Sequence, residues 1–169
     1  LFARVYRRHP LEVLDLCAAA LPLGHAFGRI GCFLNGCCYG MRCKGPWGVR
    51  FPAGSMPWHE QVAQGVIKAT SPCSEPVVPT QLIEAAANLV LVAVLYAIAR
   101  RHPRRGQLTA LYLMLYAVIR FHTEMLRGDA RMQVGALSIS QFISLLLMAA
   151  GLALWLALRF LPRRDGPAA

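Results

Sequence analysis

Two stretches of this chain have no polar face. Residues 89–99, LVLVAVLYAIA, and 142–161, FISLLLMAAGLALWLALRFL, present apolar side chains around the full circumference of any helix they form. Such a helix needs lipid or a protein interior about it, and only helices and closed barrels satisfy their own backbone hydrogen bonds in a bilayer. Composition agrees, with 56% of the 169 residues apolar and 15% charged, against about 25% charged in an ordinary soluble domain. The chain reads as an all-α, polytopic helical membrane protein with a single transmembrane domain over 1–169.

The net charge of +10 is a magnitude also seen in nucleic-acid binders, but its placement argues for a membrane and against nucleic acid. Arg4, Arg7 and Arg8 precede the first apolar segment, Arg100, Arg101, Arg104 and Arg105 fill a turn, and Arg159, Arg163 and Arg164 close the last segment. Basic clusters at span ends mark cytoplasmic loops. The pattern predicts four spans, at 11–34, 79–100, 107–127 and 137–161, each near the ~20 residues that cross a bilayer core, with both ends of the chain inside. Pro22, Gly24, Gly28 and Gly31 predict a kink or early unwinding in the outer half of the first span. The segment 40–78 is then extracytoplasmic. It is rich in Gly and Pro, carries Trp47 and Trp58 suited to an interfacial belt, and reads as irregular with one short helix near 59–69. No signal peptide is visible and the chain opens on Leu1, as expected of a fragment whose earlier part is missing.

Ionisable residues inside spans are costly, about 2.5 to 3.5 kcal/mol each at a helix centre on insertion scales, so each needs a reason. Tyr116, Arg120, Thr123 and Arg127 share one helical face, with Glu124 beside them; Gln81, Glu84 and Asn88 share another; His25, Arg29 and Cys32 a third. All three faces fall toward the outer ends of their spans. Two arginines and two carboxylates around an outer cavity suit a phosphate-bearing lipid, because guanidinium binds phosphate bidentately and keeps its charge in low dielectric. Plainer readings stand beside this one. Arg127 snorkels to the interface, Glu124 pairs with Arg120 or Arg127 to hold helix register, and Gln81 and Glu84 cap the helix that starts after Pro79. Arg29 and Arg120 are not accounted for so simply.

With these residues in view, the chain resembles the prolipoprotein diacylglyceryl transferase family. GRIGCFLNGCCYG at 28–40 is similar to the family signature of arginine, Gly-Asn-Phe, Asn-Gly-Glu and a closing glycine. PWGVRFP at 46–52, PTQLIEA at 79–85 and YAVIRFHTEMLRGD at 116–129 resemble the remaining blocks in the same order. The resemblance implies the last four spans of a seven-span fold. It also implies transfer of a diacylglyceryl group from phosphatidylglycerol to the lipobox cysteine of a prolipoprotein, with no cofactor, in the bacterial inner membrane. By the same resemblance Arg29 and Arg120 hold the lipid phosphate, Tyr116, Glu124 and Gly40 match functional positions, and Arg127 matches the second arginine of its helix. Gly31, Gly36, Gln81 and Glu84 fall within the matching blocks and are candidates for the substrate site. The family's histidine base lies upstream of this chain; His25 and His122 occupy other positions, which favours core or hydrogen-bonded roles for them.

Two signature groups are thiols here: Cys32 stands for the asparagine and Cys37 for the glutamate. The spacing C-x4-C-C-x4-C from Cys32 to Cys43 lacks the paired C-x2-4-C arms of common zinc sites, so no metal is expected. Outside placement favours a disulfide from Cys37 or Cys38 to Cys32, Cys43 or Cys73. A thiol activated beside Arg29 as nucleophile or base is the other account, which makes Cys32 and Cys37 catalytic candidates, and small inert cysteines are the third. The function expected is the transferase; the alternative is a noncatalytic lipid-binding or scaffold protein on the same fold. A transporter predicts inverted repeats, and the halves show no internal similarity.

Overall fold

The structure, a computed structural model, describes residues 9–101, 103–128, 133–135 and 137–160. Arg4, Arg7, Arg8, Arg163 and Arg164, on which part of the charge pattern rests, lie outside them. Four long helices make the body: α1 (Pro10–Asn35), α3 (Thr80–Ala99), α4 (Gln107–Met125) and α5 (Ile139–Phe160), with a short α2 (Met56–Ala63) in the loop after α1. A two-residue hairpin, β1 (Gln133–Val134) and β2 (Leu137–Ser138), leads into α5.

Helix α1 starts where proline is tolerated, with Pro10 in the first turn and the His9 imidazole accepting from the Leu11 N–H. It does not unwind as expected. Helix continues past Pro22 to Asn35, and Ala18, Pro22 and Ala26 form its buried stripe. Termination comes at Gly36, in the left-handed region at φ 70°. The Gly36 N–H meets the Phe33 carbonyl at 3.1 Å and the Cys37 N–H meets the Cys32 carbonyl at 3.0 Å, the two bonds of a Schellman cap.

Helices α1, α3 and α5 are each long and apolar enough to cross a membrane, by length and composition. By that measure three of the four expected spans qualify among the described residues, and α4 does not. Helix α4 falls short because Gln107, Thr109, Arg120, His122, Thr123 and Glu124 dilute its apolar residues. It nevertheless runs beside α5 along its length, antiparallel to it. Arg104 before its start reaches the Leu158 carbonyl near the end of α5 at 3.3 Å, while Arg120 near its end reaches Ser140 at the start of α5 at 2.9 Å. Leu91, Leu95, Leu108, Tyr112 and Ala18 make the core where α1, α3 and α4 meet. The outward faces stay apolar and exposed, with Phe27, Leu34, Val90 and Leu146 among them, as lipid-facing helices require.

At one end of the bundle Asp15 of α1 caps α4 from outside. Its carboxylate accepts from the Gly106 N–H at 2.6 Å, the Thr109 N–H at 2.8 Å and the Thr109 hydroxyl at 2.7 Å. Arg105 pairs with Glu12 at 2.6 Å, and Arg159 stacks over Trp155 at 4.4 Å.

The other end carries the segment 36–79, which is more ordered than its composition predicts. Isolated bridges pair Arg42 and Val49 with Val77, and Pro52 with Cys73, over a small core of Tyr39, Phe51 and Val77. The short helix lies earlier than expected, at 56–63 rather than 59–69, and gives way to a turn with Gly65 at φ 69°. Trp47 is 80% exposed, as suits an interface. Trp58 instead ties the loop together, donating to the Ser71 carbonyl at 2.8 Å.

Candidate active site

The three polar faces expected from spacing converge at the loop end of the bundle. Glu84, in the second turn of α3 and 2% exposed, lies between two arginines. Its Oε1 is 3.0 Å from Nε of Arg29 on α1, and its Oε2 is 3.7 Å from Nη1 of Arg120 on α4. Arg120 Nη2 also meets Glu124 Oε2 at 3.0 Å, one helical turn on, and donates to the Ser140 hydroxyl of α5. One network therefore joins all four long helices. Glu124 pairs with Arg120 within α4, at the four-residue spacing the sequence offered. Glu84 is more than a capping residue, since its carboxylate bridges two helices.

Arg29 meets Glu84 through Nε at 3.0 Å. Its side chain keeps about a fifth of its surface accessible. Buried polar atoms without a hydrogen-bond partner line the same region: the side-chain oxygens of Gln81 and Asn88, and His25 Nδ1. The Gln81 amide nitrogen is taken, donating to the Cys37 carbonyl at 2.7 Å. Tyr116 stacks between Tyr112 and His25, with ring centroids 5.6 and 4.9 Å away, and lies close enough to Glu84, Arg120 and Arg29 to feel their charges. His122 turns outward and meets the Val118 carbonyl at 2.8 Å. That is a local hydrogen-bonded role, as expected for it.

A profile of the prolipoprotein diacylglyceryl transferase family matches residues 1–157. The chain belongs to that family. It is 35% identical over 86% of its length to phosphatidylglycerol–prolipoprotein diacylglyceryl transferase 2 of Clostridium perfringens. Over 84% of its length it is 37% identical to the transferase of Clostridium tetani, and over 91% it is 37% identical to that of Xanthomonas oryzae pv. oryzae. The matches cover 51%, 51% and 54% of those proteins. The chain spans about half the length of the curated relatives it matches.

Within this chain the signature loop is fastened to α3 and α4. Gly40 is the tightest point. A Cβ there would lie 2.6 Å from the Leu126 carbonyl oxygen, 2.7 Å from Thr80 Cγ2 and 2.9 Å from Val78 Cβ, so only glycine lets the strands pass. Gly40 pairs with Arg127 in an isolated bridge, and Thr80 donates to the Cys38 carbonyl at 2.9 Å. Gly36 serves the helix cap. Gly31 is exposed with open space around it, and the structure does not bring it into the charged network.

The cysteines do not pair as expected, because all six are free. Cys43 instead accepts from the Gly45 N–H at 3.3 Å. Cys32, Cys37 and Cys38 gather so that their sulfurs lie within 4.8 Å of one another. Burial pushes the Cys38 thiol up, but a hydrogen bond and the charge of Arg127, helped by Cys37 and Arg29, hold it below the ordinary thiol value overall. Arg127 thus turns into the loop rather than snorkelling. Ser140 was missed by sequence reasoning. Its signal was a hydroxyl in the first turn of the last apolar helix, at the same end as the other polar faces.

Proposed function

We propose that this chain forms part of an enzyme that moves a diacylglyceryl group from phosphatidylglycerol to the lipobox cysteine of a prolipoprotein. The cysteine sulfur attacks the glyceryl carbon and forms a thioether. The carbon–oxygen bond to phosphate breaks, and glycerol phosphate leaves with the electron pair while the thiol proton passes to solvent or to the leaving phosphate. The enzyme works in the bacterial inner membrane, with the loop 40–78 extracytoplasmic and both ends of this chain cytoplasmic.

The observation that carries this reading is the position of Arg29, held through Nε by the buried Glu84 carboxylate that Arg120 shares, with about a fifth of its side chain accessible. A guanidinium held in place with part of its surface accessible suits a phosphate diester. Charge on the phosphate grows as the carbon–oxygen bond breaks, so the same contact strengthens toward the transition state. Glu84 positions both arginines, Glu124 and Ser140 orient Arg120, and Tyr116 and Arg127 line the approach. The unpartnered oxygens of Gln81 and Asn88 suit hydroxyls of the glycerol headgroup.

A second reading has its own support. Arg29 and Arg120 are matched by Glu84 and Glu124 in a neutral quartet, as a structural pairing in a noncatalytic lipid-binding protein also requires. Transfer from labelled phosphatidylglycerol to a lipobox peptide, per molecule of folded full-length protein in detergent, separates the two. Loss of turnover in Arg29→Ala and Arg120→Ala, with partial recovery in the lysine variants, is expected. Full specific activity in Arg120→Ala with reduced abundance would establish the structural reading.

A further inference from the structure

The thiols of Cys32, Cys37 and Cys38 are brought together by backbone rather than by side-chain chance. In a Schellman cap the third residue from the helix end and the second residue past it come into contact, and those two positions are Cys32 and Cys37. Cys38 then takes a left-handed conformation, φ 62°, the one non-glycine among the described residues to do so. Such a conformation is uncommon for a residue with a side chain and marks a site where surrounding contacts dictate it. It turns the third sulfur toward the other two.

We propose that Cys32, Cys37 and Cys38 form a three-thiolate site for a soft monovalent cation, namely Cu(I). The donor set is three sulfurs with no imidazole or carboxylate among the described residues, and thiolates select Cu(I) or zinc over harder ions. Structural zinc takes four protein ligands, one more than this group supplies, and a three-ligand zinc site keeps water in the fourth place, whereas Cu(I) is satisfied by three sulfurs in a plane. Metal–thiolate bonds of about 2.3 Å place three such sulfurs about 4 Å apart. The present separations, all within 4.8 Å, reach that with small side-chain rotations. Charge also fits. One Cu(I) on three thiolates is a dianion, and two cations flank it: Arg127, hydrogen-bonded to Cys38, and Arg29, one helical turn before Cys32. Binding releases the thiol protons to solvent and changes no oxidation state. The ion would clamp the loop onto the end of α1, next to the arginine network.

The site is independent of the transferase reading, because its test reads metal rather than turnover. Full-length protein, reduced and held anaerobically in detergent, is titrated with Cu(I) against a chromophoric Cu(I) chelator. We expect one equivalent retained per chain. Cys32→Ser, Cys37→Ser and Cys38→Ser should each weaken retention by more than the about 10- to 100-fold typical of losing an outer-shell partner, while Cys43→Ser and Cys73→Ser leave it unchanged. X-ray absorption on the unsubstituted protein decides the matter even where a variant fails to fold. A shell of three sulfurs supports the site, and a shell containing nitrogen or oxygen overturns it. Failure to retain copper, equal retention in the Cys37→Ser variant, or a Cys32–Cys37 disulfide found on alkylating unreduced membranes would also overturn it.

Discussion

Glu84 is the most constrained residue of the network, almost wholly buried and shared by two arginines. Removing one member of a buried ion pair costs about 3 to 5 kcal/mol because the other charge is left uncompensated. Glu84→Gln is therefore expected to lower the melting temperature in detergent and the abundance in membranes. Adding Arg29→Met should recover part of that stability while leaving transfer activity absent. A double variant no more stable than the single one would show that Arg29 and Glu84 are not energetically coupled. Gly40 is constrained by space instead of charge. Gly40→Ala drives a methyl group to within 2.6 Å of the Leu126 carbonyl oxygen, and overpacking of this kind costs about 1 to 3 kcal/mol. The expected readout is faster proteolysis of the loop, with the long helices intact by circular dichroism.

At the scale of elements, each long helix is positioned by a contact made by another. The start of α4 is capped by Asp15 of α1, which supplies the acceptors that Gly106, its own cap residue, lacks. A carboxylate at that end also complements the helix dipole. Asp15→Ala should cost about 1 to 2 kcal/mol, the usual loss for a capping side chain, measured as a lowered unfolding temperature with the arginine network unperturbed. Asp15→Asn should recover part of it, since the amide oxygen still accepts. Gly36 ends α1 by the same logic of satisfied backbone groups, and because its cap aligns Cys32 with Cys37, this one element boundary also builds the thiol cluster.

For the whole molecule, the polar residues segregate to the two ends and the apolar surface lies between them. The loop with Trp47 and the arginine network occupy one end, and Glu12, Arg104, Arg105 and Arg159 occupy the other. Gly54→Cys and Arg101→Cys, each placed in a chain whose own cysteines are replaced by serine, report on opposite ends. Reaction of Gly54→Cys with a membrane-impermeant thiol reagent in intact cells, and protection of Arg101→Cys until the cells are opened, is the expected pattern. The reverse pattern would invert the topology.

Much of this architecture was legible in the sequence because it follows from local chemistry. Apolar length set the helices to within a few residues, and three- and four-residue spacing placed Arg29, Glu84, Arg120 and Glu124 on inward faces. Spacing along one helix cannot say which partner on another helix a charged group meets. That Glu84 holds both arginines, that Asp15 caps a helix whose first residue is 92 positions further along, and that Arg127 turns to Cys38 were decided by packing. The same limit explains the cysteines. Read as a linear motif, their spacing matched no metal site, and only the three-dimensional path through Gly36 and Cys38 brings the sulfurs within reach of one ion. Helix formation and membrane preference are sums over neighbouring residues, whereas the chemistry of a site depends on distances between residues that the chain alone leaves free.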